Sequence, residues 1–294
     1  MGLIRKKKFM ARRKRDGAQK VETNNLVVVS DLHCGCQLGL CPPTGARFDE
    51  GGRYQPNQLQ LKIWEHWREF WDEWVPMVCR KEPFAVCING DSLDGVHHNA
   101  THQITHNLQD QSNIAYEVLE PIVEKCGGRF FMIRGTEAHV GPSGVQEEEL
   151  ATRLGAIPNQ FGQRARYELW KQVGNGLVHL LHHIGTTGSQ AYEATGVHKE
   201  LVEEFTEAGR WNEQPPDVVI RSHRHRFMRT EIASDLGNAV SVVTPGWQAK
   251  TPFVFRVAGG RLSPPQFGGI LVRQGDEELF VRHKVWSIKR GPVD

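Results

Sequence analysis

Leu26-Val27-Val28-Val29-Ser30-Asp31-Leu32-His33 decides how this chain is read. Four apolar residues in a row, three of them β-branched, make a strand buried on both faces, as in a parallel sheet covered by helices. Asp31 and His33 lie just past its end. Residues two apart on extended backbone share a face, so the two side chains are expected to point the same way. A carboxylate and an imidazole offered together from a strand mouth are metal-ligand chemistry, although one Asp-x-His pair is weak on its own.

Working outward, residues 34–56 are rich in Gly, Pro and Cys and read as a long loop. Residues 57–79 place Leu59, Ile63, Trp67, Phe70, Trp71, Trp74 and Val78 at helical spacing, a core-facing stripe. Phe84–Asn89 reads as a second strand running into Gly90-Asp91. Residues 104–125 read as a helix, and Phe130–Ile133 as a third strand running into Gly135. Strands alternating with helices imply parallel crossovers. The second half is richer in strands, with candidates at 166–173, 177–182, 217–221, 239–243, 253–257, 269–273 and 278–285 and a helix near 197–208. The expected fold is α/β: a βαβαβ half and a mixed-sheet half, packed as a β-sandwich with helices outside. No linker interrupts residues 23–294, so these read as one domain behind a tail over 1–22.

The chain has 294 residues, 39% of them apolar, and a net charge of +2. Residues 1–20 hold nine Lys/Arg and one acid, so a basic tail precedes a mildly acidic body. Such a tail suits nucleic acid or another polyanion, or is a solvated leader. No segment approaches the roughly 20 apolar residues of a membrane helix, and no apolar stretch of signal-peptide type follows the basic residues. Lys6 stands where a myristoylation motif after Met1-Gly2 needs Ser or Thr. Six Cys without a secretory leader imply reduced thiols in a cytoplasm. The spacing of Cys34, Cys36 and Cys41 is not a standard zinc pattern.

Four further stretches join Asp31-Leu32-His33: Gly90-Asp91, Gly135-Thr136-Glu137-Ala138-His139, His182-His183 and Ser222-His223-Arg224-His225. Most end an apolar run. Oxygen and imidazole donors brought together from several strand mouths are what a two-metal hydrolytic site requires. In this order the stretches resemble the signature of the calcineurin-like metallophosphoesterases, over about residues 26–226. The resemblance implies a four-layer αββα fold, two mixed sheets packed face to face with helices on both outer faces. It also implies two divalent metal ions (Mn, Zn or Fe) and hydrolysis of phosphate esters. Asp31, His33 and His225 would hold the first metal, Asp91 would bridge, and His223 with His183 would hold the second. His183 is favoured because Gly185 follows one residue on, as in the family, with His182 the alternate.

The third stretch departs from the family's Gly-Asn-His-Asp/Glu pattern. Either Glu137 replaces the Asn as a metal ligand and His139 serves as the general acid, or Thr136 is a poor ligand and the second site is weak. Glu137 also suits the first turn of a helix, where the dipole favours an acid. Asp94 is a candidate hydrogen-bond partner for a ligand His. His98 and Asn99 are candidate substrate contacts, and His98, His102 and His106 would share a face if the following helix began early. Trp247, in Thr244-Pro245-Gly246-Trp247-Gln248, either shapes a pocket or plugs a turn. The expected activity is metal-dependent phosphoester hydrolysis, tilted towards phosphodiesters and nucleic acid. A phosphomonoesterase is one alternative and a catalytically impaired assembly subunit another.

Overall fold

The computed structural model describes residues 23–97, 99–185, 190–234, 237–256 and 264–288. The basic tail and His98 therefore lie outside the described residues. In chain order the elements are β1 (Asn25–Val29), β2 (Ala46–Arg47), β3 (Arg53–Tyr54), α1 (Gln58–Glu69), α2 (Val75–Val78), β4 (Ala85–Asn89), α3 (Leu108–Lys125), β5 (Phe130–Ile133), α4 (Glu137–Val140) and α5 (Val145–Arg153). There follow β6 (Ala165–Arg166), β7 (Glu168–Val173), β8 (Gly176–Leu181), α6 (Glu193–Trp211), β9 (Val218–Arg221), β10 (Met228–Ser234), β11 (Gly237–Val243), β12 (Gln266–Gln274) and β13 (Leu279–Ser287). A π-helical segment, Phe70–Trp74, joins α1 to α2.

Two mixed sheets carry the fold, in the orders β13-β12-β1-β4-β5-β6 and β10-β11-β9-β8-β7. Pairing is parallel from β1 through β6 and antiparallel at β12 and β13. In the second sheet β8, β9 and β11 run parallel. Alternation of side chains then builds the layers. Leu26 and Val28 of β1, with Cys87, Phe131 and Ile133, face Leu169, Val178, Leu180, Val218, Ile220 and Val242 of the second sheet. Val27 and Val29 face the other way, into the layer of α1, α2 and α3 with Ile63, Trp67, Phe70 and Leu119. On the far side α6 covers the second sheet through Val197 and Leu201. The result is the αββα sandwich expected.

The stripe of residues 57–79 is core, as its spacing requires. Asn57 caps α1 by accepting from Gln60 N, and the Gln60 side chain accepts from Asn57 N in return. Phe70 and Trp71 are buried, and Trp247 packs edge-on against Trp67 and Phe70 with ring centroids 4.8 and 5.9 Å apart. Trp247 is 0% exposed, so it is the plug of its turn and lines no pocket.

Several expectations change. Residues 252–256 form turns, not a strand; Pro252 removes a ladder donor, and Phe253 and Phe255 are exposed. Strand β10 was not expected, because Arg229, Thr230 and Glu231 dilute its apolar face. The loop 34–56 contains the short β2–β3 pair. Helix α3 begins only at Leu108, capped by Asn107, so His102 and His106 precede it and share no helical face. Helix α5 has no apolar stripe and was missed.

Replacing Trp247 by Ala should cost about 3–5 kcal/mol, the range for emptying a buried aromatic site. Denaturant unfolding of metal-free protein measures this, and a loss under 1 kcal/mol would refute the plug.

Candidate metal centre

The mouths of β1, β4, β5, β8, β9 and β11 open at one end of the sandwich. Beyond the strands, backbone pairing continues between two loops: Asp31 N donates to Gly90 O (3.0 Å), His33 N to Asp91 O (3.1 Å) and Cys34 N to Ser92 O (3.0 Å). Within this lattice Asp31, His33, Asp91, His223 and His225 all take left-handed backbone, with φ of 55°, 45°, 49°, 71° and 52°. Asp31 and His33 therefore converge through left-handed turns, not through a shared strand face. This conformation costs an L-residue about 1–2 kcal/mol. Five such residues in one place, with Asp31, His33 and Asp91 buried and His223 the exposed member, mark a site whose geometry the fold imposes.

Among the donor clusters of the described residues two lie side by side, and a third, His33/Asp91/His139, links them. Asp31, His33 and His225 bring ligand atoms within 4.8 Å of one another, and so do Asp91, His182 and His223. Nε2 of His225 stands 3.2 Å from Asp31 Oδ1 and 3.1 Å from His33 Nε2. Asp91 Oδ2 is the meeting point of the second group, 3.1 Å from His182 Nε2 and 4.0 Å from His223 Nδ1. Its other oxygen, Oδ1, accepts from Thr136 N at 2.7 Å and Thr136 Oγ1 at 3.2 Å. His139 Nε2 faces the same carboxylate at 3.9 Å, while its Nδ1 is 2.6 Å from the Asp94 carbonyl.

A second layer holds these donors. Asp94 Oδ1 lies 3.2 Å from His33 Nδ1 and accepts from Gln248 Nε2 at 3.0 Å; Asp94 Oδ2 accepts from Gln103 Nε2 at 3.1 Å. His182 Nδ1 faces the Asn89 carbonyl at 2.6 Å. A carbonyl can only accept, so the neutral ring carries its proton on Nδ1 and turns the Nε2 lone pair inward. Glu147 of α5, fully buried, accepts from Ser92 N (3.0 Å) and Gly135 N (2.7 Å) and clamps the second and third stretches together. Beneath them Asn89 Nδ2 donates to Ser222 Oγ, Ser222 meets Thr244 at 2.7 Å, Thr244 meets Ser30 at 2.7 Å, and Ser30 Oγ donates to Asp31 Oδ2. Two glycines let the donors approach: a Cβ on Gly90 would lie 2.3 Å from His182 Nδ1, and one on Gly135 2.0 Å from Asp91 Oδ1.

Burial opposes charge here, and the partners decide each group. Burial would raise the Asp31 carboxyl, but His225 and His182 hold it at about 2. Asp91 is held well below the carboxylate range against its burial, chiefly by His182. Burial lowers His33 to about 4, helped by His139, and lowers His223 to about 4, helped by His182. Both therefore present neutral rings. His182 goes the other way: Asp91 and Asp31 overrule its burial and lift it to about 10. Burial pushes Glu147 up to about 7.

These residues fit a pair of cations. Asp31 Oδ1 is buried and accepts no well-aligned hydrogen bond. His33 Nε2 and His225 Nε2 face each other across the same space. Carboxylates mixed with imidazoles suit Mn, Zn or Fe better than Ca.

Of the residues singled out from sequence, Asp31, His33, Asp91, His139, His223 and His225 are brought together. His182, not His183, reaches Asp91. Neighbours at a strand end point opposite ways, and His183 is exposed, its ring 5.1 Å from that of His223. Glu137 is exposed and belongs to neither donor group; Thr136 occupies the place against Asp91. Asn99 is exposed in the turn closed by Ala100 N and His97 O. Glu147 and the Ser30–Thr244–Ser222 chain were not anticipated, because a Glu within a run of three and isolated hydroxyls carry no recognisable spacing.

No family model matches the chain, and no curated protein matches its sequence. Solved structures of similar fold include vacuolar protein sorting 29 from Cryptosporidium parvum, at 10% identity over 90% of this chain and 98% of that one, with a TM-score of 0.40. A Thermotoga maritima protein solved by NMR is 12% identical over 90% of this chain and 100% of its own, with a TM-score of 0.36. Sulfate thiohydrolase SoxB of Thermus thermophilus, in complex with glycerol, is 12% identical over 92% of this chain and 57% of that one, with a TM-score of 0.39. No helix among the described residues is long and apolar enough to cross a membrane.

Two outcomes are expected. Glu147→Ala orphans two buried N–H donors, at about 1–3 kcal/mol each; thermal unfolding should show the loss, and titration should show weaker metal binding. Because His182 holds its proton up to a pH of about 10, a cation must displace it. Metal affinity should therefore rise with pH from neutrality towards 10, with at least one proton released per protein, since His225 is raised as well. Calorimetry in buffers of different ionisation enthalpy measures that proton, and a pH-independent affinity would refute its displacement.

Proposed function

We propose that the protein is a dinuclear-metal phosphoesterase of the calcineurin-like metallophosphoesterase superfamily, with phosphodiesters its favoured substrates. The observation that carries this reading is the meeting of two donor groups, Asp31/His33/His225 and Asp91/His182/His223, at the mouths of both sheets. Each group would hold one ion, with Mn, Zn or Fe suited to the donors. Bound there, two ions supply charge neutralisation for a phosphate and a lowered pKa for water.

The chain's own residues do the rest. Asp94 fixes the His33 ring through Nδ1, and its carbonyl fixes His139 the same way. His139 then has one free nitrogen, Nε2, on the side of Asp91. Protonated there, it donates to the departing ester oxygen, the task of a general acid. Glu147 and the left-handed turns hold these atoms in place before substrate arrives, so orientation is built into the fold. The nine Lys/Arg of residues 1–20 suit contact with a polyanion such as nucleic acid. Six free, buried thiols suit a reducing cytoplasm.

A second reading, a catalytically impaired binding or assembly subunit, draws on Thr136. Its hydroxyl already donates to Asp91, where the family places an Asn ligand, and this leaves the second group with three side-chain donors.

With added Mn, the protein should turn over bis-p-nitrophenyl phosphate, and Asp91→Asn should abolish it. His139→Ala should lose roughly 10²–10⁴-fold on an alkyl ester and less on the nitrophenyl ester, whose leaving group needs little protonation. No turnover with any divalent metal, with less than one metal bound, would favour the second reading.

A further inference from the structure

Beside the donor groups lies an open cleft of about 550 Å³ that the chemistry so far leaves unused. His139 and His97 line it, both largely buried, with ring centroids 4.4 Å apart. Val96, Leu108, Ala138 and Pro142 give it apolar wall, Ser143 and Gln146 add polar points, and Glu137 stands among them. Glu137 is exposed and contributes to neither donor group.

The position of His139 gives the cleft a role, on the phosphoesterase reading above. A general acid must touch the oxygen that departs, so the rest of the leaving alcohol extends away from the phosphorus past that imidazole. His139 lines the cleft, and the cleft has room for a group of nucleoside or aryl size. Apolar walls accept a carbon body. Glu137 is exposed, no Lys or Arg lines the cleft, and the proton of His139 is directed at the departing oxygen, so at the outer end the carboxylate raises the energy of an anion and lowers that of a cation. We infer that this cleft holds the leaving alcohol, and that Glu137 is a specificity residue selecting leaving groups with an apolar body and a neutral or cationic end over anionic ones.

The reading explains why a carboxylate stands two residues before His139. One helical turn separates Thr136, against Asp91, from His139, whose N donates to Thr136 O at 2.9 Å. The two residues within that turn, Glu137 and Ala138, are both exposed and both line the cleft. The inference also narrows the substrate class. A polynucleotide would carry its next phosphate into the cleft, towards Glu137, whereas a diester of an uncharged or amine-bearing alcohol would not.

The test uses full-length, Mn-loaded protein and three methyl aryl phosphates whose leaving phenol bears a para carboxylate, carboxamide or aminomethyl group. Wild type should favour aminomethyl over carboxylate in kcat/KM, corrected for the intrinsic reactivity of each ester. Glu137→Gln should shrink that ratio by about five- to tenfold, the scale of one partly screened charge pair. Glu137→Lys should invert it. Metal content is measured on every variant. Wild type without preference, or a ratio that Glu137→Gln leaves unmoved, overturns the inference while the phosphoesterase reading stands on bis-p-nitrophenyl phosphate. Loss of a metal equivalent in Glu137→Gln also overturns it, by making Glu137 a ligand. Absence of turnover on every ester by metal-loaded wild type overturns both.

Discussion

Asp31, Asp91 and Asp94 sit within a few ångströms of the same imidazoles with at most 1% of their surface exposed. Ionised carboxylates this deep cannot persist without compensation. Much of the architecture at this end of the sandwich supplies it. Histidines arrive from three strand mouths and one helical turn, amides of Gln103 and Gln248 face Asp94, and the backbone and hydroxyl of Thr136 face Asp91. Metal-free, the centre balances charge with protons, as the raised His182 and His225 show. Cations would do the same through the lone pairs of His33 and His223, which the lowered pKa of both rings leaves free of protons.

Bringing so many donors together needs backbone that strands alone do not provide. The five left-handed residues add strain of about 1–2 kcal/mol each. The continued pairing of the Asp31 and Asp91 loops, the Glu147 clamp and the close approaches at Gly90 and Gly135 offset it. The strain is local to the donors, and the core behind them is ordinary: alternating aliphatics between two sheets, with aromatics under the helices.

The strands at 25–29, 85–89 and 130–133 were legible because continuous β-branched and aromatic runs have few other homes. So were the donors that follow them, since each sits where such a run stops. What was not legible depended on a single residue of register or on contacts between distant segments. His182 and His183 differ by one step along a strand end, and one step reverses a side chain. Thr136 and His139 are brought together by a helical turn that linear spacing disguises. Glu147 lies in a polar stretch that reads as surface, yet the loops of β4 and β5 close over it. The aromatic run at 253–257 read as strand, but Pro252 and the turns that follow it leave Phe253 and Phe255 exposed.

The chain of small side chains under the site has a direction. An amide nitrogen such as Asn89 Nδ2 can only donate, and an ionised carboxylate such as Asp31 can only accept. Those two ends leave the hydroxyls between them no choice. Asn89 donates to Ser222, Ser222 to Thr244, Thr244 to Ser30, and Ser30 to Asp31. Every dipole in the series points towards the same anion, and each bond polarises the next. The seam between the two sheets is thus a one-way wire that ends on Oδ2 of the carboxylate whose other oxygen, Oδ1, faces His225. Protonating Asp31 would remove what sets its sense, so the orientation of hydroxyls just past the ends of β9 and β11 is tied to the charge of a residue just past the end of β1. Sheet packing and site charge are in this respect one variable.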